Sequence, residues 1–164
     1  MSSDRRIALF ADLHSNLEAF DACLEHAQEQ GATEFVFLGD LVGYNADPIA
    51  IVEKVAELVD KNKAVALMGN HDEAVFKDHS TRMNAHAWAA IQWTRNQLSD
   101  QHVSFLKELP LIHKEDEICF VHSSASKPEN WSYVDSGLAA WHCAEAAGTT
   151  YTFVGHVHDS TVYY

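Results

Sequence analysis

Aspartate, histidine and asparagine recur at short spacings in this chain, and five such groups directly follow short apolar runs. The groups are Asp12-Leu13-His14, Gly39-Asp40, Gly69-Asn70-His71-Asp72, His122 and Gly155-His156-Val157-His158. Carboxylate, imidazole and amide ligands without a thiolate suit Mn²⁺, Fe or Zn²⁺. The same side chains often move protons in active sites. The groups therefore indicate metal binding, acid–base chemistry, or both.

Each group taken singly has an ordinary structural explanation. Gly, Asn and Asp favour tight turns, an aspartate after a strand often caps the next helix, and a lone buried histidine is usually a core residue. In open α/β sheets, however, ligand sites form beyond the carboxyl ends of the strands. Five groups at five strand ends, three of them preceded by a glycine that lets the backbone turn sharply, favour one common site.

The number of candidate ligands exceeds the coordination of a single cation. Five histidine or asparagine side chains and two aspartates are available. Two cations that share a bridging carboxylate fit this number, and such pairs lie ~3.5–4 Å apart. In Asp-x-His and His-x-His, residues i and i+2 point the same way if the chain stays extended. Each pair is then expected to reach one centre.

The elements that must position these groups alternate along the first half of the chain. Apolar runs at Arg5–Ala11, Glu34–Leu38 and Val65–Met68 predict strands, and helical spacing between them predicts two helices. This β-α-β-α-β order predicts a mostly parallel sheet with right-handed crossovers. Further along, the pattern predicts helices over Asn84–Leu98, Gln101–Leu109 and Gly137–Ala147, a hairpin within Leu111–His122 with Lys114-Glu115-Asp116 at its tip, and strands over Tyr151–Val154 and from Thr161. We predict a single domain over residues 1–164.

Composition narrows the class of protein. The chain has 164 residues, 47% of them hydrophobic, and a formal charge of −13. An acidic chain does not suit coating a nucleic-acid polymer, whereas cations or bound metal ions suit it better. No apolar run approaches the ~18 residues needed to span a membrane. Three widely spaced cysteines, Cys23, Cys119 and Cys143, predict buried free thiols and a reducing, cytoplasmic setting.

The five groups resemble the motifs of the calcineurin-like metallophosphoesterase family. That pattern is Asp-x-His, Gly-Asp, Gly-Asn-His-Asp/Glu, a single His after a strand, and Gly-His-x-His, and here it spans residues 12–158. The resemblance implies an α/β fold, a four-layer α-β-β-α sandwich. It also implies a dinuclear centre, in which Mn²⁺ is favoured and Fe or Zn²⁺ are alternatives.

Individual roles follow from the same resemblance. One ion takes Asp12, His14, Asp40 and His158. The other takes Asp40, Asn70, His122 and His156, so that Asp40 is the bridge. His71 lies beside the ions as the general acid, Asn70 also holds phosphoryl oxygens, and Asp72 either orients His71 or caps the following helix.

The chain departs from the pattern in two places. Relatives of the protein Ser/Thr phosphatases and the symmetrical diadenosine tetraphosphatases carry Asp-Arg-Gly shortly after the second motif, and its Arg helps to hold phosphate. This chain has no Arg in the corresponding Gly39-Asp40-Leu41-Val42-Gly43-Tyr44-Asn45. It resembles the small bacterial and archaeal phosphodiesterase-like members more closely. These usually continue past Gly-His-x-His through more strands, whereas this sequence stops six residues after His158, so either a short form or a truncated chain that lacks strands of the second sheet is expected.

The expected activity is hydrolysis of a small phosphate mono- or diester by a hydroxide bridging the two ions. A metallophosphoesterase-like scaffold that binds proteins without catalysis is the alternative, and a dinuclear hydrolase of amides or sulfates is a third interpretation. Tyr44, Asn45, Trp131 and Tyr133 are candidates to line the substrate cleft, with core or rim packing equally open. The remaining histidines, His26, His79, His86, His102, His113 and His142, are expected in surface or core roles.

Overall fold

The structure, a computed structural model, describes residues 5–164. The strands in this range are β1 (Ile7–Phe10), β2 (Glu34–Phe37), β3 (Ala64–Ala66), β4 (Ile112–Glu115), β5 (Ile118–Val121) and β6 (Tyr151–Val154). The α-helices are α1 (Leu17–Glu29), α2 (Pro48–Asp60), α3 (Asn70–Ala74), α4 (Ala85–Gln97), α5 (Asp100–Glu108) and α6 (Gly137–Ala147). A 3₁₀ turn covers Pro128–Asn130. None of the described helices combines the length and the apolar character that crossing a membrane requires.

The strands form two three-stranded sheets. In the first, β2 lies between β1 and β3 and both pairings are parallel, as the β-α-β-α-β order predicts. In the second, β5 pairs antiparallel with β4 and parallel with β6. The carboxyl ends of β1, β2 and β3 therefore meet at one edge of the first sheet, and those of β5 and β6 meet at one edge of the second.

Alternation of side chains along the strands produces the four layers. Phe35 and Phe37 of β2 belong to a cluster with Ile51, Val52 and Val55 of α2, whereas Val36 belongs to a separate cluster. That second cluster joins the two sheets, because it also contains residues of β3 and β5, including Phe120. On the far side, Cys119 and Val121 of β5 pack with Cys143 of α6. The order is thus helices, sheet, sheet, helix, and the predicted α-β-β-α sandwich is confirmed.

Several local expectations differ from the structure. The hairpin tip lies at Asp116-Glu117, because Glu115 still pairs with Ile118 and Asp116 takes the left-handed turn conformation at φ 49°. Residues 161–164 form no strand. All three cysteines are free, as predicted, but Cys23 is exposed, since it lies on the side of α1 away from the sheet.

Candidate metal centre

Hydrogen bonds between neighbouring loops fix the backbone that follows each strand. The N–H groups of Asp12 and His14 donate to the carbonyl oxygens of Gly39 and Asp40, at 3.1 and 2.9 Å. Across the two sheets' edges, the backbone N–H of His156 donates to the Asp12 carboxylate at 3.0 Å. The loops after β1, β2 and β6 are therefore held together before any cation binds.

Left-handed backbone conformations concentrate at the predicted ligands. Eleven non-glycine residues in the described range have positive φ. Five of them are predicted ligands: Asp12, His14, Asp40, His156 and His158, with φ between 46° and 68°. Such conformations cost about 1–3 kcal/mol each and cluster at functional sites. The chain is therefore not extended at Asp-x-His or His-x-His, contrary to the expectation from sequence. His156 and His158 accordingly belong to different groups of ligands.

The side chains converge in three overlapping groups, and within each group the donor atoms lie within 4.8 Å of one another. The groups are Asp12 with His14 and His158, His14 with Asp40 and His71, and Asp40 with His122 and His156. Asn70 joins the third group, because its Oδ1 lies 3.1 Å from Nε2 of His122. All seven residues predicted as ligands therefore meet in one place.

Asp40 belongs to two of these groups, as His14 does, and it is the shared carboxylate. Its Oδ2 lies 3.8 Å from Nε2 of His14 and 3.5 Å from Nε2 of His122, and only 1% of the residue is exposed. Its Oδ1 accepts a hydrogen bond from the backbone N–H of His71 at 2.8 Å. One carboxylate oxygen is thus positioned between two sets of nitrogen ligands, while the other is fixed to the third motif.

Backbone carbonyl groups orient the histidines in a way that suits cation binding. Nδ1 of His122 lies 2.8 Å from the Leu38 carbonyl oxygen, and Nδ1 of His14 lies 3.2 Å from that of Val42. A ring nitrogen facing a carbonyl oxygen must carry a proton, so in the neutral ring the other nitrogen keeps its lone pair. Those Nε2 atoms are the ones that face Asp40.

Two short contacts made by histidine ring nitrogens would be stabilised by a cation bound between the atoms. Nε2 of His14 lies 3.2 Å from Nε2 of His158, which in turn lies 3.1 Å from Asp12 Oδ1. A cation between these atoms would satisfy all three lone pairs at once. The donor set therefore fits two divalent cations of the Mn²⁺, Fe or Zn²⁺ type.

The buried charges shift the pKa values of the metal-free site strongly. Burial lowers the pKa of His122, but the Asp40 charge and hydrogen bond outweigh it and raise that pKa to about 9. Burial raises the pKa of Asp40, yet the charge and hydrogen bond of His122 and the charges of His71 and His14 bring it below its ordinary value. A cation that binds to His122 would therefore compete with a proton for the ring nitrogen.

His71 lies at the edge of this arrangement, against two aromatic rings. Its ring centroid is 4.8 Å from that of His14 and 4.7 Å from that of Tyr44. Its Nδ1 is buried without a hydrogen-bond partner among residues 5–164. Burial lowers the pKa of His71 to about 4, against the opposing charge of Asp40. The position leaves His71 able either to bind a cation or to exchange a proton with a substrate.

Asp72 is fully buried and makes its contacts with the backbone. Its carboxylate accepts hydrogen bonds from the N–H groups of Gly69 at 2.9 Å and Val42 at 3.1 Å. Burial and then the charge of Asp40 raise its pKa to about 7. No hydrogen bond joins Asp72 to the His71 ring within the described residues, so its visible contacts join the start of α3 to the loop after β2.

A third buried carboxylate, Glu73, was absent from the sequence-based predictions and supports the far side of the site. Glu73 accepts a hydrogen bond from the Trp131 indole at 3.0 Å and lies 2.8 Å from Nε2 of His79. Lys77 completes its partners. Trp131 in turn offers its carbonyl oxygen to Nε2 of His156 at 3.0 Å. Glu73 directly follows the third motif, and this position could have identified it from the sequence. No motif in the sequence identifies its partners.

Comparisons with known proteins agree with this geometry. A family model described as calcineurin-like phosphoesterase matches residues 5–160. An uncharacterized protein of Methanocaldococcus jannaschii is 35% identical over 133 residues, which are 78% of this chain and 53% of that protein. A symmetrical bis(5'-nucleosyl)-tetraphosphatase of Chromohalobacter salexigens is 29% identical over 144 residues, 82% of this chain and 48% of that protein. The chain thus spans about half the length of the curated relatives it matches.

A solved structure is similar over almost the whole chain. The crystal structure of a metallophosphoesterase from Sphaerobacter thermophilus superposes with a TM-score of 0.79 and 32% sequence identity. The match covers 95% of this chain and 62% of that one.

A methyl group at Gly69 should disrupt the site from within. A Cβ there would lie 2.1 Å from Asp40 Oδ1 and 2.2 Å from the Asp40 backbone nitrogen, so Asp40 must move. We expect Gly69→Ala to weaken Mn²⁺ binding by about 10–100-fold, the effect typical of disturbing groups that orient ligands. Calorimetric titration with Mn²⁺ measures this.

Gly137→Ala is the matched control for this substitution, because a Cβ at Gly137 meets nothing within 4 Å. It should bind Mn²⁺ as the unaltered protein does. Equal Mn²⁺ affinity in the Gly69→Ala protein would show that the position of Asp40 does not control the site.

Proposed function

The chain belongs to the calcineurin-like phosphoesterase family, and we propose that it is a metal-dependent hydrolase of phosphate esters. The observation that carries this proposal is the position of Asp40, whose Oδ2 lies between Nε2 of His14 and Nε2 of His122. A buried carboxylate oxygen between two sets of imidazole nitrogens is the arrangement a two-cation hydrolase needs. Mn²⁺ is the favoured cation, with Fe or Zn²⁺ as alternatives, and the setting is cytoplasmic.

The ligand residues divide between two cation positions. Asp12, His14 and His158 would hold one, and Asn70, His122 and His156 would hold the other, with Asp40 bridging. Divalent cations bound here supply the positive charge that acidifies water and offsets charge on phosphoryl oxygens. The carbonyl groups of Leu38 and Val42 keep the Nε2 lone pairs of two of these histidines directed at the site.

His71 is the group that donates a proton to the leaving oxygen. Its low pKa, caused by burial, means that the free site holds a neutral ring at pH 7. A substrate phosphate beside the ring adds negative charge, which favours the protonated imidazolium needed for donation. Tyr44, packed on His71 and half exposed, contacts the substrate and keeps the ring in place.

Asp72 acts through the backbone in this proposal. Its bonds to Gly69 and Val42 hold the third motif against the loop after β2. Asp72 is therefore a positioning residue: it sets where His71 and Asp40 lie relative to each other.

A small phosphorylated compound is the substrate class we propose. The Chromohalobacter salexigens relative, named as a tetraphosphatase, supports such a substrate, and the charge of −13 does not suit a nucleic-acid polymer. The stretch Gly39-Asp40-Leu41-Val42-Gly43-Tyr44-Asn45, which corresponds to the Asp-Arg-Gly region, contains no arginine. Any cationic contact to the substrate must therefore come from another part of the chain.

Removal and replacement of the metal tests the proposed activity. We expect a chelator to abolish hydrolysis of p-nitrophenyl phosphate and of bis(p-nitrophenyl) phosphate, and Mn²⁺ to restore it better than Mg²⁺, Zn²⁺ or Fe²⁺. Release of p-nitrophenolate is the measurement, and the ratio of the two rates ranks monoester against diester. Asp40→Asn, purified in the same way, controls for contaminating phosphatases. Absence of hydrolysis with every metal would contradict the proposal.

Replacement of His71 separates proton donation from metal binding. We expect His71→Ala to keep its metal content while kcat falls about 10²–10⁴-fold, the contribution typical of a general acid. The loss should be larger for a phenyl ester than for a p-nitrophenyl ester, because p-nitrophenolate needs little help in leaving. Metal content by mass spectrometry and kcat for both esters are the measurements.

His86→Ala, an exposed histidine at the start of α4, is the control and should match the unaltered protein. A joint loss of metal and rate in the His71→Ala protein would make His71 a ligand.

A further inference from the structure

A cavity of about 440 Å³ opens beside the proposed metal centre. Asn70 and His156, two of the proposed ligands, form one side of it, and Arg82, Trp131 and Tyr133 are among the residues that line the remainder. Its volume lies in the range of small-molecule sites, about 300–1,000 Å³. A substrate whose phosphate reaches the centre can therefore extend into this cavity.

Arg82 brings a positive charge to this cavity in an otherwise acidic chain. The chain contains 24 Asp and Glu residues, yet no carboxylate lines the cavity, while Arg82 and two histidines do. Carboxylates elsewhere in the protein would repel an anionic substrate, so an anionic substrate can approach most favourably through this cavity.

Arg82 differs from the other arginines in having no partner among residues 5–164. Arg5 pairs with Glu34 and Glu115, and the guanidinium groups of Arg6 and Arg95 donate to backbone carbonyl oxygens. The guanidinium of Arg82 forms no ion pair or hydrogen bond within the described residues, and Arg82 is exposed. All five of its N–H donors are available to a ligand.

The backbone that carries Arg82 is nevertheless fixed to the motif helix. The N–H groups of Arg82 and Met83 donate to the His79 carbonyl oxygen at 2.9 and 3.1 Å. The His79 ring pairs with Glu73 of α3, the helix that begins at Asn70. The spacing between Arg82 and the centre is therefore set by a short chain of contacts.

Tyr133 gives the cavity a flat aromatic wall. Its ring stacks on that of His156 with centroids 4.0 Å apart and planes 12° apart, and 57% of the residue remains exposed. One ring face is covered by His156, so the exposed part can pack against a planar group of a ligand.

We propose that this cavity is a substrate subsite, in which Arg82 binds a second anionic group beyond the phosphate at the centre. The inference rests on the proposed phosphoesterase function and narrows its substrates to phosphate esters with a further phosphate, of the nucleoside bisphosphate class. Arginine suits this role because its planar fork binds phosphate oxygens in pairs. It supplies the cationic contact missing from the loop after Asp40.

A matched pair of chromogenic diesters tests the subsite. Thymidine 5'-(p-nitrophenyl phosphate) and its 3'-phosphorylated form have the same leaving group and differ only in the second phosphate. We expect the Mn²⁺-loaded protein to prefer the 3'-phosphorylated ester in kcat/KM. Arg82→Gln should reduce that preference about 10-fold, mainly through KM, the loss expected for one charge-assisted contact.

Lys63→Gln is the charge-matched control, since Lys63 is exposed and precedes β3, at the end of the sheet away from the centre. It should keep the preference of the unaltered protein. An unaltered protein without the preference, or an Arg82→Gln protein that retains it, would overturn the subsite.

A second measurement separates failure of the subsite from failure of the proposed function. If the unaltered protein hydrolyses neither thymidine diester, the hydrolase proposal is decided by the assays on p-nitrophenyl phosphate and bis(p-nitrophenyl) phosphate, and calorimetric titration with thymidine 3',5'-bisphosphate tests the subsite alone. Binding that Arg82→Gln weakens about 10-fold and Lys63→Gln leaves unchanged supports the subsite. Absent binding, or equal binding by all three proteins, overturns it.

Discussion

The structure depends on keeping one carboxylate, that of Asp40, buried among histidines at the junction of two sheets. A buried charge is costly unless neighbouring groups compensate it. Here the compensation comes from His14 and His122 on one oxygen and from the His71 N–H on the other. Because these partners come from different strands, the four layers and the parallel first sheet are the frame that brings them to one point.

The same constraint explains the backbone around the site. Gly39 and Gly69 allow the loops after β2 and β3 to touch, since a Cβ on either would meet the other loop at less than 3 Å. Left-handed conformations at Asp12, His14 and Asp40 then turn the side chains inward. Local strain at these positions is tolerated because the hydrogen bonds between loops, and cations when bound, favour a single arrangement.

The β-α-β-α-β order predicted the parallel first sheet, whereas the four-layer sandwich followed from the family resemblance. Because the strand ends of a parallel sheet meet at one edge, Asp12, His14, Asp40 and Asn70 could be placed together from the sequence. His122, His156 and His158 follow strands of the second sheet and were grouped with them through the motif pattern. Prediction failed where contacts between distant residues decide. His122 and His14 are oriented by carbonyl groups of residues that are distant in the sequence. Arg82 lines the cavity, yet no sequence motif identifies it. The sequence also left the role of Asp72 undecided, because its hydrogen-bond partner Val42 is 30 positions away.

The bridging role of Asp40 can be tested directly by electron paramagnetic resonance during titration of the metal-free protein with Mn²⁺. Two cations joined by one carboxylate lie close enough for their spins to couple. We expect two bound equivalents per chain and the spectrum of a coupled Mn²⁺ pair at saturation. A single equivalent, or two equivalents with the spectrum of isolated Mn²⁺ ions, would contradict it.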